Sequence, residues 1–169
     1  MEIFLDTADV EEIKRFAKIG VIDGVTTNPA LVAKEGRDFR EVVAEICSII
    51  DGPVSAEVIS INCEGMVREA ELISKLHKNI VVKLPATIEG FEALNIVSKK
   101  NIKVNFTVIY TANQALAAAK LGATYVSPFI GRLDVTSTDG STLIQEIRTI
   151  YDNYGFKTKI LAASMRNAV

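Results

Sequence analysis

A lysine stands in the middle of an otherwise apolar stretch of the sequence, Ile80-Val-Val-Lys-Leu-Pro-Ala86. Removing an ammonium group from water is costly unless other groups compensate, so a buried Lys83 would need a chemical reason. A desolvated lysine amine forms a Schiff base with a carbonyl compound. Alone, Lys83 could instead be an edge-strand gatekeeper or a surface residue whose stem lies along apolar surface. The apolar residues on both sides, and comparable polar residues in other apolar runs, favour the chemical interpretation.

Polar side chains recur towards the end of the other apolar runs. Because side chains alternate between the two faces of a strand, residues two apart point the same way. This rule places one set of polar residues on a common face, and mostly Leu, Val, Ile, Ala and Phe on the other. The set consists of Asp6, Thr26, Asn28, Glu57, Lys83, Asn105, Thr107, Ser127 and Ser164. Its two carboxylates could carry the proton transfers that Schiff-base formation and C–C bond cleavage require.

Taken singly, several members of this set have a structural explanation. Asp6 could cap the first helix, and Glu57 could form a salt bridge with a neighbouring lysine. Asn28 and Ser127 each precede a proline and could belong to turns. Thr107 is a good strand former and carries no signal in isolation. Taken together the residues indicate an active site, although few of them would do so alone.

Two arginines follow the last two apolar runs. They are Arg132, in Phe129-Ile-Gly-Arg-Leu-Asp134, and Arg166, in Ala163-Ser-Met-Arg-Asn167. A guanidinium group suits phosphate because its planar fork donates two parallel hydrogen bonds. Each arginine could also form a surface ion pair. Together with the lysine, the pair indicates a phosphorylated carbonyl compound as substrate.

The composition argues against several other classes of protein. With one histidine and two cysteines in 169 residues, neither a metal centre nor a histidine-assisted nucleophile is expected. Net charge is −2 and no basic block occurs, which argues against nucleic acid or anionic membrane surfaces as partners. The start, MEIFLD, does not resemble a signal peptide, and no apolar run has the length of a transmembrane helix. A cytoplasmic protein is therefore expected.

The elements that must position these residues alternate along the chain. Short β-rich runs are separated by longer segments with helical periodicity. The runs are EIFLD, GVTTN, VSAEV, IVVKLPA, KVNFTVI, TYVSPFI and KILAAS. Plausible N-caps of the helices are Thr7 or Asp9, Asn62, Thr87, Thr111 and Asp139. No linker or composition break divides the chain, so a single α/β domain over residues 1–169 is expected.

Seven consecutive βα steps imply parallel strands, either in a (β/α)8 barrel or in a doubly wound sheet. No strand is followed by a Gly-rich nucleotide fingerprint of the kind that open sheets often carry. Closing the strands into a barrel would also collect the polar set at the C-terminal mouth, where such barrels have their active sites. Both observations favour the barrel.

A complete barrel would require one more strand than the sequence provides. Typical (β/α)8 barrels use roughly 250 residues, and about 200 at the lower end. We therefore expect a barrel truncated after strand 7, with strand 8 and the final helices absent from this chain. The strands that begin near Glu2 and Lys159 should then not pair with each other.

Six motifs carry a resemblance to a known family. They are FLDTAD near the start, GVTTNP around Asn28, VVKLP around Lys83, NFTVIY around Thr107, YVSPFIGRLD around Phe129, and LAASMRN at the end. With these motifs in this order, the sequence resembles the transaldolase family, in the small subgroup that also contains fructose-6-phosphate aldolases. The resemblance implies a class I Schiff-base enzyme on a (β/α)8 barrel, without metal or organic cofactor. It also implies a homo-oligomer, a pentamer or decamer.

The resemblance assigns a role to each matching residue. Lys83 corresponds to the Schiff-base lysine, and Asp6 to the acid/base that takes the proton from the C4 hydroxyl of the donor. Glu57 and Thr107 correspond to groups that handle a catalytic water during imine formation. The residues expected to bind substrate are Thr26, Asn28, Asn105, Ser127 and Phe129 for the sugar, and Arg132, Ser164 and Arg166 for the phosphate.

Three positions favour a transaldolase over an aldolase. The aldolases of the family have Gln where Glu57 stands, Tyr where Phe129 stands and an apolar residue where Asn105 stands. The implied reaction moves a dihydroxyacetone unit from sedoheptulose 7-phosphate or fructose 6-phosphate to an aldose phosphate, within the pentose phosphate pathway. Two alternatives stay open: a fructose-6-phosphate aldolase that releases dihydroxyacetone, and a phosphosugar-binding protein without turnover.

Overall fold

The computed structural model describes residues 1–135 and 139–166. Strands and helices alternate along the chain, as the periodicity predicts. The chain forms two compact units, Met1–Lys83 and Leu84–Val169, and their boundary falls inside a strand. None of the helices within the described ranges is long and apolar enough to span a membrane.

The first unit contains three complete βα steps and most of a fourth strand. Its elements are β1 (Phe4–Asp6), α1 (Val10–Ala17), β2 (Gly24–Thr26), α2 (Pro29–Lys34), α3 (Phe39–Ile49), β3 (Val54–Glu57), α4 (Cys63–Ile73) and β4 (Ile80–Pro85). Neighbouring strands pair in parallel, and the register aligns Asp6 with Thr26 and Glu57 with Lys83. At the ends of these strands, the Asp6 carboxylate therefore lies beside the Thr26 hydroxyl, and the Glu57 carboxylate beside the Lys83 amine.

The second unit continues the same alternation. Its elements are α5 (Ile88–Ser98), β5 (Val104–Ile109), α6 (Ala112–Lys120), β6 (Tyr125–Pro128), α7 (Ile130–Val135), α8 (Gly140–Tyr154) and β7 (Lys159–Ile160). β5 pairs with β6, and β6 with β7, again in parallel. The register aligns Thr107 with Ser127.

The strand order in the sheet is β1-β2-β3-β4-β5-β6-β7, the same as the order along the chain. This is the order of a (β/α)8 barrel with seven of its eight strands, so the predicted fold class is confirmed. β1 and β7 lie at the two ends of this order.

Several strands are shorter than predicted, for local reasons. The run GVTTN gives a strand only over Gly24–Thr26, because Asn28 leaves the strand to cap α2. The run KILAAS gives only Lys159–Ile160, followed by a single β-bridge between Phe129 and Ala163. Beyond this bridge Ser164 has a φ of +59°, which ends the extended backbone.

The helix starts follow from local side-chain chemistry. In each case the side chain of the N-cap accepts a hydrogen bond from an amide of the first turn. The caps are Asp9, Asn28, Asp38, Asn62, Thr87, Thr111 and Asp139. All predicted starts are confirmed, and Asp9 rather than Thr7 or Asp6 caps α1.

The hydrophobic core lies between the helices and the strand faces that point towards them. Val82 and Leu84 of β4 and Phe106 of β5 are fully buried, and the Phe106 ring lies 4.6 Å from the ring of Phe91 in α5. Because side chains alternate along a strand, Lys83 in β4 and both Asn105 and Thr107 in β5 point to the opposite face of the sheet. The apolar face of each strand packs against helices, so the polar residues lie on the face that points away from the core.

Candidate active site

The amine of Lys83 lies between a carboxylate and a backbone carbonyl. Its Nζ is 3.2 Å from Oε2 of Glu57 and donates a hydrogen bond to the carbonyl oxygen of Thr27, also at 3.2 Å. Lys83 is only 7% exposed. That burial rules out the surface and edge-strand interpretations of this lysine. The salt bridge with Glu57, considered above as a structural alternative, is present and joins two residues of the predicted site.

The carbonyl of Thr27 is held in place by the next strand. Both the amide and the hydroxyl of Thr27 donate to the carbonyl oxygen of Ser55, at 2.9 and 2.8 Å. This double attachment fixes the chain directly after β2, where it meets the lysine. Thr27 could not be singled out from the sequence, because the acceptor is a backbone carbonyl that any residue type could supply.

The second carboxylate, Asp6, is oriented by a hydroxyl on the neighbouring strand. Thr26 Oγ1 donates to Asp6 Oδ1 at 2.8 Å, between residues that are partners in the β1–β2 register. Asp6 is exposed and does not cap α1, because Asp9 does so. Asp6 is therefore an accessible carboxylate with a defined orientation at the end of a strand.

Asn28 has a structural role that the sequence left open. Its Oδ1 accepts from the amide of Leu31 at 2.9 Å, and Pro29 occupies the first turn of α2, where a missing amide hydrogen costs nothing. The oxygen of the side chain is thus engaged by the helix cap. This cap does not use the amide nitrogen of the Asn28 side chain.

In the second unit, three polar side chains of β5 and β6 are buried together. Ser127 Oγ donates to Asn105 Oδ1 at 2.7 Å, and the two residues are 2% and 0% exposed. Thr107, the register partner of Ser127, is also fully buried. Within residues 1–135 and 139–166, no group lies in hydrogen-bonding position to Thr107 Oγ1. Burying a hydroxyl without a hydrogen bond is costly, so Thr107 Oγ1 is a candidate for contact with a group that the described residues do not supply.

A bulge follows Thr107 directly. Thr107 aligns with Ser127 and Ile109 with Pro128, so Val108 is one extra residue in β5. Its φ is +63°, in the left-handed region that β-branched residues strongly avoid. Bulges are concentrated next to active sites, where they redirect side chains. Sequence reasoning missed this feature, since valine in an apolar run predicts regular strand.

Phe129 lies at the junction between β6 and α7. It is half-buried, and its ring meets the ring of Tyr110 edge-on, with centroids 6.0 Å apart. Arg132 follows in α7, whereas Ser164 and Arg166 follow the bridge at Ala163; both arginines are exposed. The structure therefore carries both arginines on neighbouring segments of the second unit.

A carboxylate that the sequence did not single out anchors the loop after β3. Glu69 in α4 accepts from the amides of Ile59 and Ser60, at 2.6 and 3.1 Å, and from the hydroxyl of Ser60. Burial raises the pKa of Glu69, but the bonds from Ser60 and Ile59 outweigh it, so the pKa lies below its ordinary value. The loop that follows Glu57 is thereby fixed to α4.

The remaining candidate groups offer less chemistry. Burial raises the pKa of the Cys47 thiol to about 11, so this thiol is protonated near neutral pH. In the described part of the chain, no three His, Cys, Asp or Glu side chains are grouped to hold a metal ion. The groups available for chemistry are the amine, the carboxylates, the hydroxyls and the arginines.

Comparison with known proteins assigns the family. The family model described as Transaldolase/Fructose-6-phosphate aldolase matches residues 3–169. The chain belongs to this family. The resemblance inferred from the six motifs is thus confirmed, and membership supports an enzyme of the aldolase and transferase kind.

The chain is also similar to individual relatives over its whole length. It is 64% identical to a "Probable transaldolase" of Carboxydothermus hydrogenoformans, over 99% of this chain and 78% of that protein. Proteins of the same name from Thermoanaerobacter sp. and Methanococcus maripaludis are 60% and 58% identical, over 100% of this chain and 78% and 79% of theirs.

A solved structure of 2,3-dimethylmalate lyase, a member of the PEP mutase/isocitrate lyase superfamily, has a similar fold. The TM-score is 0.61 and the match covers 95% of this chain and 74% of that one. Sequence identity is 13%, so this likeness concerns the fold alone.

Proposed function

We propose that the protein is a transaldolase that moves a dihydroxyacetone unit from a ketose phosphate to an aldose phosphate through a Schiff base on Lys83. The donor would be sedoheptulose 7-phosphate or fructose 6-phosphate. The observation that carries the proposal is the buried Lys83 amine, held between the Glu57 carboxylate and the Thr27 carbonyl. Family membership and the names of the relatives support it.

In the first stage the amine of Lys83 attacks the ketone carbon of the donor. The resulting carbinolamine loses water and becomes an imine, which requires protons to be moved to and from oxygen. Glu57, 3.2 Å from the amine, is placed to take up and return these protons. By the family resemblance Thr107 handles the water that is released, and its hydroxyl has no hydrogen-bond partner among the described residues.

In the second stage the C3–C4 bond breaks. Asp6 takes the proton from the C4 hydroxyl, the first aldehyde leaves, and the electrons of the broken bond form an enamine conjugated with the lysine nitrogen. The enamine then attacks the carbonyl carbon of an acceptor aldose phosphate, whose oxygen takes the proton back from Asp6. Water then hydrolyses the new imine, which releases the ketose phosphate product and restores the Lys83 amine. The bond from Thr26 keeps the Asp6 carboxylate in one orientation through both proton transfers.

The remaining residues bind substrate in this proposal. By the family resemblance, Asn28, Asn105 and Ser127 are assigned to the hydroxyls of the sugar. The phosphate is held by Arg132, Ser164 and Arg166. The proposed reaction needs neither metal nor organic cofactor and belongs to the pentose phosphate pathway. By the family resemblance the protein would act as a homo-oligomer, and its composition favours the cytoplasm.

Aldolase activity is the second candidate, because the family name covers both reactions. Transfer requires the enamine to outlive the departure of the first aldehyde. The ring of Phe129 has no hydroxyl with which to orient water or deliver a proton, which favours transfer. Measuring dihydroxyacetone release from fructose 6-phosphate, with and without an acceptor aldehyde, separates the two activities.

Borohydride trapping tests the Schiff base itself. Treatment with fructose 6-phosphate and borohydride should add one reduced adduct per chain, which peptide mass mapping places on Lys83. Lys83→Met should fold normally by circular dichroism and lose the adduct, whereas Lys120→Met, which changes an exposed helical lysine, should keep it. An adduct on another lysine would refute the assignment. If the native protein forms no adduct, and Lys83→Met binds the sugar phosphate as tightly as the native protein does, the protein would be a binding protein without turnover.

A further inference from the structure

The segments that carry the two arginines touch each other at a glycine. Gly131 is buried in α7, and a Cβ atom at this position would lie 2.0 Å from the carbonyl oxygen of Ser164 and 2.7 Å from Cγ of Arg166. Real Cβ atoms essentially never come closer than 3.0 Å to another heavy atom. The two segments can therefore approach this closely only because residue 131 has no side chain.

Three further features build the same contact. Phe129 and Ala163 form a β-bridge, and the amide of Ile130 donates to the carbonyl oxygen of Ala163 at 3.1 Å. Directly after the bridge, Ser164 takes the left-handed conformation, and its carbonyl oxygen faces Gly131. The close approach is therefore held by the backbone on both sides of Gly131.

The contact lies between the two segments that carry Arg132 and Arg166. Arg132 is the residue after Gly131, and Arg166 is the residue whose side-chain stem would meet a Cβ at 131. Both arginines are exposed, so the positions of their backbones determine which ligand they can reach together. Two guanidinium groups on adjacent segments suit a phosphate dianion, because each can donate two hydrogen bonds to its oxygens.

We propose that Gly131 is a specificity-determining positioning residue. The absence of its side chain brings Arg132 and Arg166 to the spacing at which they hold one phosphate group, and thereby sets the preference for phosphorylated over unphosphorylated donors. This inference rests on the proposed function, since it names what determines donor choice at that site.

A side chain at residue 131 would push the segments apart by roughly 1 Å. Misplacement of this size in a binding group can cost on the order of 100-fold in rate. We expect Gly131→Ala to lower kcat/KM for fructose 6-phosphate by about 10- to 100-fold, mainly through KM. For unphosphorylated fructose, which does not use the arginines, kcat/KM should stay within about threefold of the native value.

Gly52→Ala provides the matched control. A Cβ at Gly52 would lie 1.8 Å from the carbonyl oxygen of Asp23, a clash of the same kind that lies in the first unit and involves neither arginine. If Gly131 matters only for packing, both variants should lose stability and neither should change the ratio of the two kcat/KM values. A folded Gly131→Ala protein with the native ratio, or an equal change of ratio in Gly52→Ala, would overturn the proposal.

Inorganic phosphate gives a readout that does not depend on catalysis. It should raise the melting temperature of the native protein and of Gly52→Ala, and should do so much less for Gly131→Ala. Absence of the effect in the native protein would overturn the inference. If the native protein is not trapped by borohydride with either fructose or fructose 6-phosphate, that result would instead count against the proposed function.

A double-mutant cycle keeps the inference testable if Gly131→Ala does not fold. Arg132→Ala, Arg166→Ala and the double variant leave Gly131 in place. If the two arginines hold one phosphate, their effects on phosphate affinity should be non-additive, so that the second substitution costs less once the first is made. Additive effects would show that the arginines act separately, and would overturn the proposed role of Gly131.

Discussion

The hydroxyl of Thr107 offers the sharpest separation between a structural and a catalytic role. Thr107→Val removes this hydroxyl and replaces it with a methyl group of similar size. In the native protein the hydroxyl is buried without a partner among the described residues. Burying a hydroxyl without a hydrogen bond costs roughly 1–3 kcal/mol in protein mutational data. We therefore expect Thr107→Val to be as stable as the native protein, or more stable by about 1 kcal/mol.

Activity should move in the opposite direction. If the hydroxyl positions the water of imine formation, its loss should slow adduct formation by on the order of 10²- to 10⁴-fold, the usual range for a group that assists proton transfer. Stability comes from urea unfolding, and the imine rate from borohydride quenching at timed intervals after fructose 6-phosphate is added. Greater stability together with lower activity would mark a residue kept for chemistry.

Thr158→Val is the control for this substitution. Thr158 is also buried, but its hydroxyl donates to the carbonyl oxygen of Ala123 at 2.7 Å. Removing this bond leaves a buried carbonyl without its donor, so the variant should lose about 1–2 kcal/mol and keep its imine rate. If Thr107→Val loses stability as Thr158→Val does and forms the imine at the native rate, Thr107 has only a structural role.

Two further substitutions test neighbouring parts of the site. Phe129→Tyr places a phenol beside Tyr110 and should raise the ratio of dihydroxyacetone release to transfer; an unchanged ratio in the same preparation would mean that the ring only packs. Glu69→Gln should weaken the anchoring of the loop after β3 and cost less than about 1 kcal/mol at pH 7, because solvent reaches the carboxylate. Since the pKa of Glu69 is lowered by folding, its contribution is present above the ordinary pKa of about 4 and fades as pH falls through the folded value. Urea titrations at pH 7 and pH 3 should therefore show a difference from the native protein that shrinks in acid, and a constant difference would contradict this account.

The parts of the fold that depend on local chemistry could be predicted from the sequence. Caps such as Asn62 and Thr87 act within three residues of the chain, so their identity is enough to place a helix start. The polar residues that alternate with apolar ones, Lys83 above all, could be assigned to one face because strand geometry has a fixed period. Burial of Lys83 and its pairing with Glu57 follow from that assignment together with the strand order.

The parts that depend on backbone atoms could not be predicted. Thr27 contacts the lysine through its carbonyl, which no residue type signals. Glu69 reaches the loop after β3 from the following helix, and only the packing of that helix brings the two together. Gly131 was part of a motif, but the reason for a glycine there is the carbonyl of Ser164, more than 30 positions further along the chain.

Val108 has a consequence for how this sequence can change. Holding a β-branched residue in the left-handed region costs on the order of 1–3 kcal/mol, and glycine or asparagine would adopt the same backbone at less cost. Selection for folding alone would therefore replace this valine, and a library screened only for thermal stability should be enriched in substitutions at residue 108. At the bulge that follows Thr107, selection for stability and selection for activity can therefore favour different residues. A variant stabilised at residue 108 would show, by whether it keeps its activity, which of the two properties Val108 serves.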